Sequence, residues 1–238
     1  MQKCESKCCQ KQKQIKMPRI VVFLGPSLPK SKAVQILEAD YLPPAKRGDI
    51  YRAALEGADI ICLIDGVFFQ ECSVAHKEII DAMEMGSKII GSSSMGALRA
   101  SELDIYGMVG VGEIYEAYKR GDLISDDEVA LIFDPVAFEP LSEPLVNIRH
   151  NLEIALRSGI IDEAARDALF RAAASRYFPE RTYERMISDC SGEVSLDVLR
   201  RFQEFINNER RDLKRDDAVK ALEKALEKAL EIAHEDKD

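Results

Sequence analysis

The sequence predicts an α/β protein: a doubly wound, mainly parallel open sheet of the Rossmann or flavodoxin kind, followed by an all-helical carboxyl-terminal region. Three features carry that prediction. Short β-branched apolar runs, each closing on glycine, serine or aspartate, recur at RIVVFLG (19–25), ADIICLID (58–65) and SKIIGSS (87–93), as buried parallel strands do. Stretches with helical spacing separate them. Beyond Phe138 the strand pattern stops and helical spacing runs almost unbroken to the end.

Taken in order, residues 1–17 carry five lysines against one glutamate, show no hydrophobic period, and read as a disordered extension. Pro18 opens the first strand, which runs out into GPSL (25–28). A helix is expected over Lys30–Glu38, a further short strand at ADYLPP (39–44), and a second helix over Asp49–Glu56. The next strand ends at Asp65-Gly66. SVAHKEIIDAMEMG (73–86) places Val74, Ile79, Ile80 and Met83 at helical spacing and stops at Gly86, and SKIIGSS then leads into GSSSMGALRA (91–100). GMVGVGE (107–113) follows no strong strand. Further helices are expected in EPLSEPLVNIRHNLEIALRSG (139–159, with Ser142 as cap and Gly159 as stop), 161–178, 182–190, 195–208 and the Ala/Leu repeat of 216–234. Pro140 divides an α/β core, 18–140, from a helical region, 141–238; the alternative is that these helices cap one flank of the sheet. The Ala/Leu helix could make a homo-oligomer seam or pack on its own domain.

Composition narrows the function. With 46% apolar and 32% charged residues in 238, the chain is globular. Its net charge of −9 and the lack of a basic, aromatic-interleaved stripe argue against nucleic acid as a partner. No apolar run approaches the ~20 residues that cross a bilayer, and no apolar secretory segment opens the chain, so a cytoplasmic protein with reduced thiols is expected.

In such a sheet, ligands bind beyond the carboxyl ends of the strands at the topological switch point. That rule gathers Ser27, Arg47, Asp49, Asp65, His76, Ser94 and Arg99 round one crevice. GSSSMGALRA is the most informative loop: strand, Ser94, Met95-Gly96 and helix follow the layout of a nucleophile elbow, although the position two before the serine is Ser92 and not glycine. Ser94 is either a nucleophile backed by helix amide groups or simply the cap of that helix. His76, early in a helix, is a candidate base, Asp65 its orienting carboxylate, and Arg47, Lys77 and Arg99 candidate anion holders; each cation reads equally well as a solvated or paired charge. Cys72 is a rival nucleophile. Cys62, inside a strand, reads as an inert core thiol. Cys4, Cys8 and Cys9 lack the spacing of a metal site, and the acidic run 126–128 after Ser125 reads as a helix cap rather than a Mg²⁺ site, so no metal is expected. GPSLPKSK is no phosphate loop and GMVGVGE is weak as a dinucleotide fingerprint, so no cofactor is expected.

Seven ordered segments, VFLGPSL (22–28), LPPAKRGDI (42–50), IDGVF (64–68), SVAHKEI (73–79), SSSMGALRASEL (92–103), YGMVGVGEIYEAYKRG (106–121) and DDEVAL (126–131), together resemble the TfuA-like family. The resemblance covers about 20–133 and is loose beyond. It implies a partner of YcaO enzymes in peptide-backbone thioamidation, supplying sulfide released from a ubiquitin-like sulfur carrier protein that ends in a glycine thiocarboxylate. In the methanogen branch the product is thioglycine in methyl-coenzyme M reductase. Splitting a thiocarboxylate is acyl transfer, and on these residues Ser94 would attack the carbonyl, His76 take its proton and Asp65 orient His76, while Ser27, Arg47, Asp49, Lys77 and Arg99 bind substrate. The rival readings are a non-catalytic adaptor docking the carrier on YcaO, a persulfide carrier using Cys72 or the amino-terminal thiols, and a nucleotide-binding enzyme.

Overall fold

A computed structural model of the chain describes residues 17–68 and 72–235. The extension up to residue 16, with Cys4, Cys8 and Cys9, lies outside the described residues. Five strands, β1 (Ile20–Phe23), β2 (Asp40–Leu42), β3 (Ile60–Leu63), β4 (Lys88–Ser92) and β5 (Val109–Val111), form one all-parallel open sheet in the order β2-β1-β3-β4-β5. β1 and β3 are buried at every residue, as their unbroken apolar runs require. ADYLPP does supply edge strand β2. The fifth strand lies inside GMVGVGE, a segment without strong strand signals: it is three residues long, and its central Gly110 leaves room that the Tyr115 ring occupies.

Five helices follow the strands: α1 (Lys30–Ala33), α2 (Asp49–Leu55), α3 (His76–Glu84), α4 (Met95–Leu103) and α5 (Glu113–Arg120). α1 is much shorter than the expected Lys30–Glu38, because its hydrogen bonding tightens into turns from Gln35 on. The helical region comprises α6 (Leu145–Arg157), α7 (Glu163–Ala174), α8 (Tyr183–Asp189), α9 (Leu196–Glu209) and α10 (Leu213–Glu235). Asp162, Thr182 and Ser195 cap α7, α8 and α9 with their side chains. Ser142 does not cap α6; Pro144 holds that position, and the Ser142 hydroxyl accepts the Ile132 N–H instead.

Two layers of apolar contact hold the sheet. On one face Val21, Ile61, Leu63 and Ile89 pack against α2, α3 and α4 through residues such as Ile50, Ile79 and Ala100. On the other, Ile20, Val22, Ile60, Cys62 and Ile90 meet Ala218, Ala221, Leu222, Ala225 and Ala229 of α10. The Ala/Leu repeat is therefore the inner stripe of a helix lying on the sheet, where small side chains let the backbones approach. Helices α6 to α9 build a separate core around Leu152, Leu169, Met186 and Phe202. Arg181, fully buried, ties that core to the 126–128 turn by donating to the Asp127 carboxylate at 2.6 Å and to the Ala173 and Arg176 carbonyls. None of the described helices is long and apolar enough to cross a membrane.

Candidate functional site

In the order 2-1-3-4-5 the chain leaves β1 in opposite directions, so the switch point lies between the carboxyl ends of β1 and β3. The GPS loop after β1 meets the Asp-Gly after β3 there. Asp65, 2% exposed, accepts the Gly25 N–H at 2.9 Å and the Ser27 N–H at 3.1 Å on one oxygen, and the Ser27 hydroxyl at 2.7 Å on the other. Its role is to pin the loop against the strand tips.

The loop after β4 adds two serines of different character. Ser93 sits at φ 63°, a left-handed conformation costly for a residue with a side chain. It is held there because its hydroxyl meets the Ser27 hydroxyl at 2.9 Å and lies 2.8 Å from the Lys214 carbonyl, to which it donates. This turn delivers Ser94 to the mouth of α4. Gly96 is required immediately after: a Cβ there would collide with the Leu63 carbonyl, so only glycine lets α4 start this close to β3. Ser94 makes no side-chain capping bond to α4, and the residue lines a narrow pocket. The simple capping role does not apply to it.

The pocket, with a volume of about 10 Å³, has room for one water-sized group. Asp65, Gly66, Ser94, Phe68, Val129 and Lys214 are among its walls. Lys214 comes from the first turn of α10, 2% exposed, with its ammonium or amine nitrogen donating to the Val129 carbonyl at 2.9 Å and its own N–H to the Asn147 side-chain oxygen at 3.3 Å. Burial pushes its pKa below the ordinary lysine value, against the opposing pull of the Asp65 and Asp212 charges. The neighbouring Ser92 hydroxyl lies 2.7 Å from the Val111 carbonyl and 2.9 Å from that of Asp217, while the buried Asp217 carboxylate accepts the first amides of α5 from Glu113 and Ile114. The start of α10 is thus anchored to the strand tips, and Lys214 is a fixed part of the site.

Asp65, Ser27 and Ser94 are therefore brought together, and the remaining sequence candidates stand elsewhere. The His76 ring nitrogen is paired with Glu102 at 2.8 Å on an open surface, and the same carboxylate takes Arg99 at 2.7 Å. His76 does not line the Ser94 pocket, and Asp65 spends both oxygens on Ser27 and the Gly25 and Ser27 amides, so the expected Ser-His-Asp arrangement does not form. Lys77 is exposed and bridged to Asp81. Arg47 reaches the Ser73 carbonyl at 3.4 Å, and Asp49 accepts the Lys46 N–H at the start of α2. Asp49, His76 and Lys77 ride on α2 and α3, Arg47 on the loop ahead of α2, and Arg99 leaves α4 toward the Val74 carbonyl and Glu102; none of the five lines the Ser94 pocket.

Cys62 is buried in β3 with its thiol pushed up to about 12 by burial, as an inert core group should be, and Cys72 is exposed outside the pocket. Ser125 does cap the 126–128 turn by accepting the Asp127 N–H. Among the described residues no group of three or more His, Cys, Asp and Glu side chains is placed to hold a metal ion. What the sequence reading missed is Lys214. It sits in RRDLKRDD, which reads as a solvated charge run, and only its position just ahead of the apolar stripe of α10 hints that it turns inward.

No curated protein matches the chain. The family model described as TfuA-like protein matches residues 65–182, a span that includes Asp65 and Ser94 and leaves Ser27 and Lys214 outside it. Over residues 65–182, this chain belongs to the TfuA-like family.

Proposed function

We propose that this protein serves YcaO-dependent peptide-backbone thioamidation by hydrolysing the carboxyl-terminal thiocarboxylate of a ubiquitin-like sulfur carrier protein and handing the sulfide to YcaO, for thioglycine formation. Membership of the TfuA-like family supports an accessory role in thioamidation. The observation that carries the chemistry is the uncapped Ser94 hydroxyl in one small pocket with the buried Lys214 amine.

A lysine whose pKa is lowered by burial can present a neutral amine as base. Lys214 takes the Ser94 proton as the serine oxygen attacks the carrier's carbonyl carbon. Gly96 and Ala97 spend their N–H groups on the Ile64 and Ser94 carbonyls, so of the first amides of α4 it is the Met95 N–H that faces the developing oxyanion, and the helix start favours its charge. The C–S bond then breaks, the proton passes from Lys214 to sulfur, and HS⁻ leaves while a serine ester remains. Water, deprotonated by Lys214, opens the ester to give the carrier carboxylate, a free Ser94 hydroxyl and one proton. Asp65 and Ser27 keep the loops in register.

The test is purified protein with thiocarboxylated carrier and no YcaO, read as sulfide released. Release that disappears in Ser94→Ala and Lys214→Met supports the assignment. Release only when YcaO is added would replace it with the adaptor reading.

A further inference from the structure

The Ser94 pocket is shut. Ser94, Asp65 and Lys214 are each 2% exposed, and a space of about 10 Å³ holds one water-sized group, whereas a thiocarboxylate brings carbon, oxygen and sulfur together. Some wall must move before an acyl group can reach Ser94. Most of the walls are fixed. Pro26, Pro44, Asp65 and Gly66 stand at the strand tips, where Asp65 holds the GPS loop and Gly66 bridges to Ala45. Phe68 packs on the apolar core, and Lys214 is tied to the fully buried Val129 at 2.9 Å. The exception is the segment that supplies Leu131 and Phe133. Its arms pair antiparallel at Phe133 and Pro140, and its backbone bonds close on itself: the Asp134 N–H on the Glu139 carbonyl at 2.9 Å, and the Phe138 and Leu141 N–H groups on the Asp134 and Ile132 carbonyls at 2.8 Å. The Asp134 carboxylate accepts the Val136 and Ala137 N–H groups within the same turn. Among the described residues none of these bonds reaches the strand tips, and no residue from Leu131 to Leu141 enters the apolar cores. The hairpin is anchored at its feet, by Val129 on one side and on the other by buried Ser142 and the Glu143 N–H, which donates to the Arg181 carbonyl at 2.8 Å.

We infer that residues 131–141 are a lid, which swings as one piece about its two feet and admits an acyl group to Ser94 only when raised. This rests on the acyl-transfer reading above and adds how the site is opened. Two rings seat the lid. Phe133 lies on the Ser94 pocket, and Phe138 lines a separate cleft with Leu24, Leu28, Tyr41 and Pro43, its ring centroid 5.9 Å from that of Phe133. Phe138 sits at φ 57°, a left-handed conformation costly for a residue with a Cβ, and the seating of its ring offsets that cost. With Val136 at the tip already 87% exposed, lifting uncovers little apolar surface beyond Leu131 and the two rings, so the opening is local and far easier than unfolding. Ser94 and Lys214 stay in place when the lid rises, because other elements anchor both.

The lid can be tested without turnover. In Ser94→Cys the new thiol reports opening of the pocket, while Cys62, fully buried in β3 of the same molecule, reports unfolding of the sheet. Alkylation by iodoacetamide is followed by peptide mass spectrometry in this variant, and again with Phe133–Pro140 replaced by Gly-Gly, which closes a two-residue turn on the Ile132–Leu141 pair. With the hairpin intact, the thiol at position 94 is expected to react about tenfold or more faster than Cys62, and shortening is expected to speed it by about tenfold again with Cys62 unchanged. Equal rates at position 94 and Cys62, or a rate at position 94 unmoved by shortening, overturns the lid. Should shortening also speed Cys62, Phe133→Ala, which leaves the backbone whole, decides instead: a rise of about threefold or more at position 94 alone supports the lid, and no rise overturns it. The two readings fail separately. Gated alkylation with no sulfide released from the carrier leaves the lid and removes the hydrolase. Ser94-dependent sulfide release with ungated alkylation leaves the hydrolase and removes the lid.

Discussion

Replacing Lys214 by Met tests the site at its centre, because the same group is expected to affect catalysis and stability in opposite directions. The base function contributes about 10²- to 10⁴-fold, or roughly 3–5 kcal/mol of barrier, so sulfide release should fall by that factor. For stability, the substitution removes one hydrogen bond to the buried Val129 carbonyl and strands that oxygen, a cost of about 1–3 kcal/mol. Against this, folding no longer has to bury an amine whose charged form is disfavoured, a penalty of several kcal/mol while the ammonium persists. The pH dependence follows from the direction of the shift. The folded pKa lies below the unfolded value of 10.5, so between the two the unfolded chain binds more protons and wild-type stability rises with pH. Below the folded pKa the full penalty applies. Urea unfolding at about pH 6 should therefore find Lys214→Met at least as stable as wild type. At about pH 10 the order should reverse, with the variant lower by about 1–3 kcal/mol. The wild-type rate with limiting carrier should also climb with pH through the depressed pKa, and that limb should vanish in the variant. A constant stability difference across that range, or turnover within a few-fold of wild type, would refute both the buried amine and its role as base.

Four other outcomes are expected. Ser94→Ala should lower sulfide release about a thousandfold or more while leaving the melting temperature within a few degrees, since its hydroxyl makes no capping bond to α4; thermal scans and sulfide assays check the pair. His76→Gln should keep sulfide release within a few-fold of wild type, because its ring is tied to Glu102 at the surface, and a loss as large as that of Lys214→Met would restore histidine as the base. Asp65→Ala deprives the GPS loop of three hydrogen bonds to a buried carboxylate and should cost about 3 kcal/mol or more in urea unfolding. Arg181→Ala removes a fully buried guanidinium that holds the Asp127 carboxylate and the Ala173 and Arg176 carbonyls, and a loss of about 3 kcal/mol is expected, read by the same measurement.

Much of the fold is local in origin and was legible. The runs at Ile20, Ile60 and Ile89 are strands because β-branched residues buried on both faces have few other stable homes, and Gly86, at φ 99°, ends α3 as its place after the helical pattern indicates. β5 escaped because three residues around a glycine carry almost no period, and its place depends on pairing with β4 and on the Tyr115 ring. The length of α1 escaped for a similar reason: turns after Gln35 follow from packing on the sheet more than from propensity.

For the site, the division falls along sequence separation. The linear sequence was sufficient to mark the loops at Ser27, Asp65 and Ser94, because strand ends in a parallel sheet point the same way and small or acidic residues at those ends have few structural reasons to be there. It could not say which titratable side chains reach those loops. His76 is close to Ser94 along the chain and has the right chemistry, yet α3 turns it to the flank, where Glu102 holds it. Lys214 is 121 residues from Ser93 and reaches it only because the alanine stripe of α10 lies down on the far face of the sheet and carries the first turn over the switch point. Local propensity fixes which segments are strands and helices; which helix end closes over the strand tips depends on burying a distant apolar face, and no short-range pattern encodes that.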